Sequence, residues 1–138
     1  MSDSKIKNTK INSTTSTVLI IDDEESIREL YKINLQRLGY TTFLASNSEE
    51  AINICKQSLN KHEPIHIVIV DLSIPGDING KDIAKTLRNL DTHIKVIVSS
   101  GHSEWPEMIH YQEYGFDAAI EKNFNRDVIK QVLDKLLI

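Results

Sequence analysis

At 138 residues, 40% of them hydrophobic and 26% charged, the chain is expected to form one globular domain whose core needs no covalent staple. A formal charge of −4 without any Lys/Arg block argues against a nucleic-acid-binding surface, and the single Cys55 excludes an internal disulfide. No apolar run approaches the ~20 residues of a membrane span, so the default expectation is a cytoplasmic domain touching neither membrane nor nucleic acid.

Residues 1–16 are rich in Ser, Thr, Asn and Lys, without periodicity and without the apolar core of a signal peptide. They read as a flexible tail or an interdomain linker ahead of a domain over residues 17–138. Thr17-Val18-Leu19-Ile20-Ile21 is the first apolar run, closed by Asp22-Asp23-Glu24-Glu25. A helix follows with Ile27, Leu30, Tyr31, Leu35 and Leu38 on one face, and Gly39 is placed to stop it. Thr41-Thr42-Phe43-Leu44-Ala45 forms a shorter strand; Ser46 with Glu49, or Asn47 with Glu50, fits a capping box opening a helix over Ala51–Leu59. Cys55 falls within that helix and reads as a packed thiol.

Ile67-Val68-Ile69-Val70 is wholly β-branched, too short for a helix and too apolar for a strand wetted on one face. It ends in Asp71 and then in turn chemistry, Leu-Ser-Ile-Pro-Gly. Ile83, Ala84, Leu87 and Leu90 mark the third helix, and Lys95-Val96-Ile97-Val98-Ser99 a further buried strand, closed by Ser100-Gly101. A short helix is expected within Glu104–Tyr114, with Pro106 in its first turn. Phe116–Ile120 is the fifth strand, ending in Glu121-Lys122; Asn125 caps a last helix burying Val128, Ile129, Val132, Leu133 and Leu136. Strands alternating with helices imply right-handed βαβ units and a doubly wound parallel α/β sheet.

In such a sheet the carboxyl ends of the strands share one edge, which brings Asp22 and Asp23, Asp71, Ser99 and Ser100, and Lys122 together. Each alone has a plain reading: a helix cap, a turn residue or a surface charge. Their joint occurrence on one edge points to chemistry. Clustered carboxylates repel by an amount on the order of kcal/mol per pair, and Lys122 supplies only one positive charge against them. An all-oxygen set without His or Cys suits Mg²⁺ (or Mn²⁺) rather than zinc. Asp71 would then be the attacking carboxylate, forming an acyl phosphate, with the metal, Lys122 and the Ser100 hydroxyl stabilising the transferring group.

This ordered set, with Pro75 four residues after Asp71, resembles the receiver domain of two-component response regulators over about Thr17 to Ile138. The resemblance implies a flavodoxin-like sheet of order 2-1-3-4-5 flanked by five helices. It implies that Asp71 is the phosphoacceptor, taking its phosphate from a sensor histidine kinase or a His-phosphotransfer protein. It also implies metal ligation by Asp71, the Asp22/Asp23 pair and the backbone carbonyl of Ser73, with a downstream protein docking on the helix-4/strand-5/helix-5 face. Such a domain catalyses only its own phosphorylation and dephosphorylation. One extra residue in Asp71–Gly80 and the run Ser99–Met108 are similar to receivers of hybrid histidine kinases; a stand-alone regulator and a phosphorylation-independent scaffold are the alternatives. Two positions depart from the family pattern. Asn123 replaces the proline usual after the lysine, and Ala119 stands where many receivers carry a switch aromatic. A haloacid-dehalogenase-type phosphatase would need an acid where Ser73 stands, and a flavodoxin would not place Asp22–Glu25 against FMN phosphate.

Overall fold

The structure is a computed structural model that describes residues 16–72 and 80–137. Of the positions singled out above, residues 1–15, Ser73, Pro75 and the rest of the 73–79 loop lie outside the described residues. Five strands, β1 (Thr17–Ile21), β2 (Thr41–Ala45), β3 (Ile67–Asp71), β4 (Lys95–Ser100) and β5 (Ala118–Glu121), form one sheet in the order β2-β1-β3-β4-β5. Every pairing is parallel. Five helices connect and cover them: α1 (Glu25–Arg37), α2 (Ser48–Asn60), α3 (Gly80–Leu90), α4 (Pro106–Ile109, continued by a 3₁₀ turn over Tyr111–Tyr114) and α5 (Arg126–Leu136). This is the flavodoxin-like order expected, and no helix among the described residues is long and apolar enough to cross a membrane.

The unbroken apolar runs are explained by two cores. Leu19, Ile21, Val68, Val70, Val96 and Val98 pack with Ala51, Cys55, Ile83 and Leu87 of α2 and α3. The intervening Val18, Ile20, Ile67, Ile69 and Ile97 pack on the opposite face with Tyr31 and Leu35 of α1 and Ile129 and Leu133 of α5. Successive side chains point to opposite faces, so a strand covered on both must be apolar throughout. Cys55 is buried, as expected of a packed thiol, and burial pushes its pKa up to about 11.

Local signals set most boundaries. Gly39 ends α1 at φ 97, a conformation that costs a glycine little. Asn125 accepts hydrogen bonds from the N–H groups of Asp127 and Val128 at 2.9 and 3.2 Å and caps α5. Asn47 caps α2 by accepting from the Glu50 N–H at 2.9 Å, and the helix starts at Ser48 rather than Ala51. The reciprocal half of the expected box is not closed on Asn47: the Glu50 carboxylate accepts instead from the Ser46 N–H and hydroxyl, at 2.7 and 2.8 Å.

Three expectations need correction. Leu30 is 42% exposed and Val128 36% exposed, because each lies at the edge of a buried stripe centred on Tyr31–Leu35 and Ile129–Leu133 respectively. The fifth strand begins at Ala118, not Phe116. Phe116 is buried ahead of it; the Asp117 N–H donates to the Val96 carbonyl at 2.8 Å while its carboxylate accepts from the Val96 N–H at 2.8 Å and from Arg88 at 2.6 Å, so backbone and side chain of one residue close that end of the ladder.

Candidate functional site

The acidic edge follows from strand register. Ile21 of β1 lies opposite Val70 of β3, so the next residues, Asp22 and Asp71, emerge side by side at the carboxyl ends of adjacent central strands. The strand order reverses here, β1 leading outward to β2 and β3 to β4, which opens the crevice such sheets use for ligands. Asp22 and Asp71 are buried and Asp23 is exposed, yet one carboxylate oxygen of each lies within 4.8 Å of the others.

Lys122 reaches the same point from the far side. Its backbone N–H donates to the Ser100 carbonyl at 2.9 Å, extending the β4–β5 ladder one residue past β5. From there Nζ lies 2.9 Å from Asp22 Oδ2 and 3.1 Å from Asp71 Oδ1. The backbone braces the acids: Asp22 Oδ1 accepts from the Glu24 N–H at 3.0 Å, and Arg28 donates to the Asp22 carbonyl at 2.7 Å. Asp22 Oδ2 is buried and, apart from its ion-pair contact with Lys122, accepts no hydrogen bond. Its lone pairs are therefore available to a cation.

Burial holds the Asp22 carboxyl above its ordinary pKa, the Asp71 charge adds to the rise, and the Glu24 N–H and Lys122 restrain it. For Lys122, burial works against the ammonium, but the contacts with Asp22 and Asp71 outweigh it and raise its pKa. An oxygen-only cluster of three aspartates with one buried and unsaturated oxygen fits a hard divalent cation. The acid–lysine set is thus brought together as expected, and Asp22 and Asp23 both belong to it. Ser73 cannot be placed, lying outside the described residues.

Ser100 is buried at the end of β4, with its Oγ accepting from the His102 N–H at 3.0 Å. The His102 ring stacks on Trp105, the residue before α4, with centroids 4.3 Å apart and planes 13° from parallel. Trp105 is half-buried against the α2/α3 core. Ala119 pairs with Val98 and has no ring to move. Sequence reasoning assigned Tyr31 to the apolar stripe and overlooked its hydroxyl, which lies 2.5 Å from Ser99 Oγ directly beneath the site. A tyrosine among aliphatic positions was the only signal available.

The family profile described as "Response regulator receiver domain" matches residues 18–134. Sporulation initiation phosphotransferase F of Bacillus subtilis is 32% identical over 120 residues, covering 87% of this chain and 92% of that protein. The autoinducer 1 sensor kinase/phosphatase LuxN of Vibrio harveyi is 28% identical over 130 residues, 94% of this chain but 14% of that protein. The chain likewise spans about a quarter of the length of the NtrX-like putative response regulators of Rickettsia that it matches. Among solved structures, a response regulator receiver domain protein from Clostridium thermocellum superimposes with a TM-score of 0.77 at 25% identity, covering 88% of this chain and 94% of that one. With this sheet order, this acidic edge and a profile match over nearly its whole length, the chain belongs to the response regulator receiver domain family of two-component systems.

Proposed function

We propose that Asp71 is the phosphoacceptor, and that Asp22, Asp23, Asp71 and the backbone carbonyl of Ser73 hold the Mg²⁺ that the reaction requires. The observation that carries this reading is the Lys122 ammonium bridging Asp22 and Asp71 at 2.9 and 3.1 Å, with Asp23 alongside. An Asp71 carboxylate oxygen attacks the phosphorus of a phosphohistidine; the P–O bond forms as the P–N bond breaks, and the imidazole leaves. Bound Mg²⁺ supplies positive charge against the phosphoryl oxygens. Lys122 stays paired with Asp22 while its ammonium offers a further N–H to the transferred group, and the Ser100 hydroxyl donates to another of its oxygens. Hydrolysis then proceeds by attack of water, with access set by the side chains of Ser73 and His102.

The donor class implied for a receiver domain is a histidine kinase or His-phosphotransfer protein, in the cytoplasm where such donors are charged. The resemblance to part of LuxN supports a receiver within a hybrid sensor kinase, and the resemblance to nearly the whole of sporulation initiation phosphotransferase F supports the alternative of a stand-alone regulator. Output on the α4/β5/α5 face would run through the loop after β4. For Ser100 Oγ to turn to the phosphoryl group it must release the His102 N–H, which frees the His102–Trp105 stack to rearrange. The test is labelling by acetyl phosphate with Mg²⁺, read by intact mass. Wild type is expected to gain one phosphoryl group, and Asp71→Asn or added chelator to abolish it. Undiminished labelling of Asp71→Asn overturns the assignment, and a wild type that takes no label points to the scaffold reading.

A further inference from the structure

We infer that Tyr31 is a positioning residue for the phosphoryl-transfer site, tying the turn that carries Lys122 to the carboxyl end of β4. The inference rests on the reading above that Lys122 serves transfer to Asp71, and it explains how this chain manages without a proline after the lysine.

The turn after β5 runs Lys122-Asn123-Phe124-Asn125, all in trans. Phe124 adopts φ 55, a left-handed conformation that costs a side chain with a Cβ on the order of a kcal/mol. Something must hold it there. The Asn123 Oδ1 accepts from the Asn125 N–H at 3.1 Å, but that bond is exposed and local. Phe124 also packs against the α1/α5-side core, and within that core its aromatic partner is Tyr31: the two rings meet edge to face, with centroids 5.0 Å apart at 70°.

Tyr31 is itself fixed at its far end. Its side chain is 1% exposed, and its hydroxyl lies 2.5 Å from Ser99 Oγ, which is equally buried. Ser99 sits directly opposite Asp71 in the β3–β4 register, and its carbonyl accepts from the Leu72 N–H at 3.0 Å. One side chain of α1 therefore links the strand pair that presents Asp71 with the turn that presents Lys122. The hydroxyl stays protonated, since burial pushes the Tyr31 pKa up to about 12. It acts as a neutral tie and adds no charge to an acidic site. Without it, Phe124 keeps its packing against the aliphatic core but loses its aromatic partner and the tie to Ser99, and the turn that presents Lys122 Nζ to both acids is held less firmly.

The experiment compares acetyl phosphate labelling of wild type, Tyr31→Phe, Tyr31→Leu and the double variant Tyr31→Phe/Ser99→Ala, with melting temperature and Mg²⁺ affinity measured on each. Displacing Lys122 by an ångström is expected to slow labelling about tenfold in Tyr31→Leu, and loss of the hydroxyl tie alone about threefold in Tyr31→Phe. Mg²⁺ affinity, set by the carboxylates, is expected to change less than about twofold. The double variant removes the orphaned Ser99 hydroxyl, so it should melt closer to wild type than Tyr31→Phe while labelling just as slowly. Recovery of stability without recovery of rate separates positioning from mere packing. Should Tyr31→Leu fail to fold, Tyr31→Phe and the double variant, which keep the ring, decide the matter. Labelling at the wild-type rate in both of those overturns the inference but leaves Asp71 as acceptor. Persistent labelling of Asp71→Asn overturns the acceptor assignment instead.

Discussion

Replacing Lys122 by Met keeps the side chain's length and removes its charge, which isolates the electrostatic role of the ammonium. The contacts at 2.9 and 3.1 Å are what offset the repulsion between buried Asp22 and Asp71. At the 4.8 Å bound on their oxygen separation, and with an effective dielectric constant of ~20, that repulsion is about 3.5 kcal/mol. Met needs no desolvation of a charge, which returns part of the loss, so the expected net destabilisation at pH 7 is about 2–3 kcal/mol. For a domain of this size that lowers Tm by roughly 6–12 °C. The pH dependence has a definite sign. Asp22 has a folded-state pKa raised above 3.8, so the native state holds its proton more tightly than the unfolded chain. The penalty for its charge is complete above the folded pKa and fades as pH falls through that value toward 3.8. Lys122→Met should therefore be most deficient at neutral pH in chelator and approach wild type in acid. Magnesium should restore it at neutral pH, by about 2.7 kcal/mol when the metal is 100-fold above Kd. The assay is thermal and urea unfolding at several pH values, with EDTA or Mg²⁺. A variant as stable as wild type in EDTA at pH 7, or a deficit indifferent to both pH and metal, would refute the reasoning.

Wild type should also gain stability from millimolar Mg²⁺ at neutral pH, with the gain shrinking as protons compete for Asp22; a Tm unresponsive to metal would count against the aspartate cluster as a cation site. Beryllofluoride with Mg²⁺ should change the emission of Trp105, the chain's one tryptophan, and the change should be absent in Asp71→Asn. If emission and the amide shifts across Gly101–Tyr111 both stay unchanged, output does not use the His102–Trp105 stack. Ser73→Ala or His102→Ala should alter the dephosphorylation rate at least about twofold by changing how water reaches the acyl phosphate; equal lifetimes in both variants would remove them from that role. Asn125→Ala, which strips α5 of the acceptor for two N–H groups, should cost about 1 kcal/mol in urea unfolding without slowing labelling of Asp71.

The fold class, and the edge on which the aspartates and Lys122 gather, were legible in the order of the residues. Three all-apolar runs, among them Ile67–Val70, demand a sheet covered on both faces, and an acid or lysine where a strand of such a sheet stops is placed on one rim whatever the details of packing. Caps were legible for the same reason: Asn47, Asn125 and Gly39 act on backbone groups a few residues away, so their effect is local. The tertiary structure decided what depends on distances between segments. It put Asp22 in the interior and left Asp23 on the surface, though adjacent acids look alike in a sequence. It showed Leu30 and Val128 at the margins of their stripes, because helical periodicity marks a face but not how far the neighbouring element covers it. It moved the start of β5 to Ala118, with the Asp117 carboxylate rather than a further backbone carbonyl accepting the Val96 N–H. Above all it joined Tyr31 to Ser99 across 68 positions. A hydroxyl among aliphatic neighbours shows its purpose only when its partner arrives from another strand, since a hydrogen bond acts over 3 Å and its sequence pattern carries no period to read.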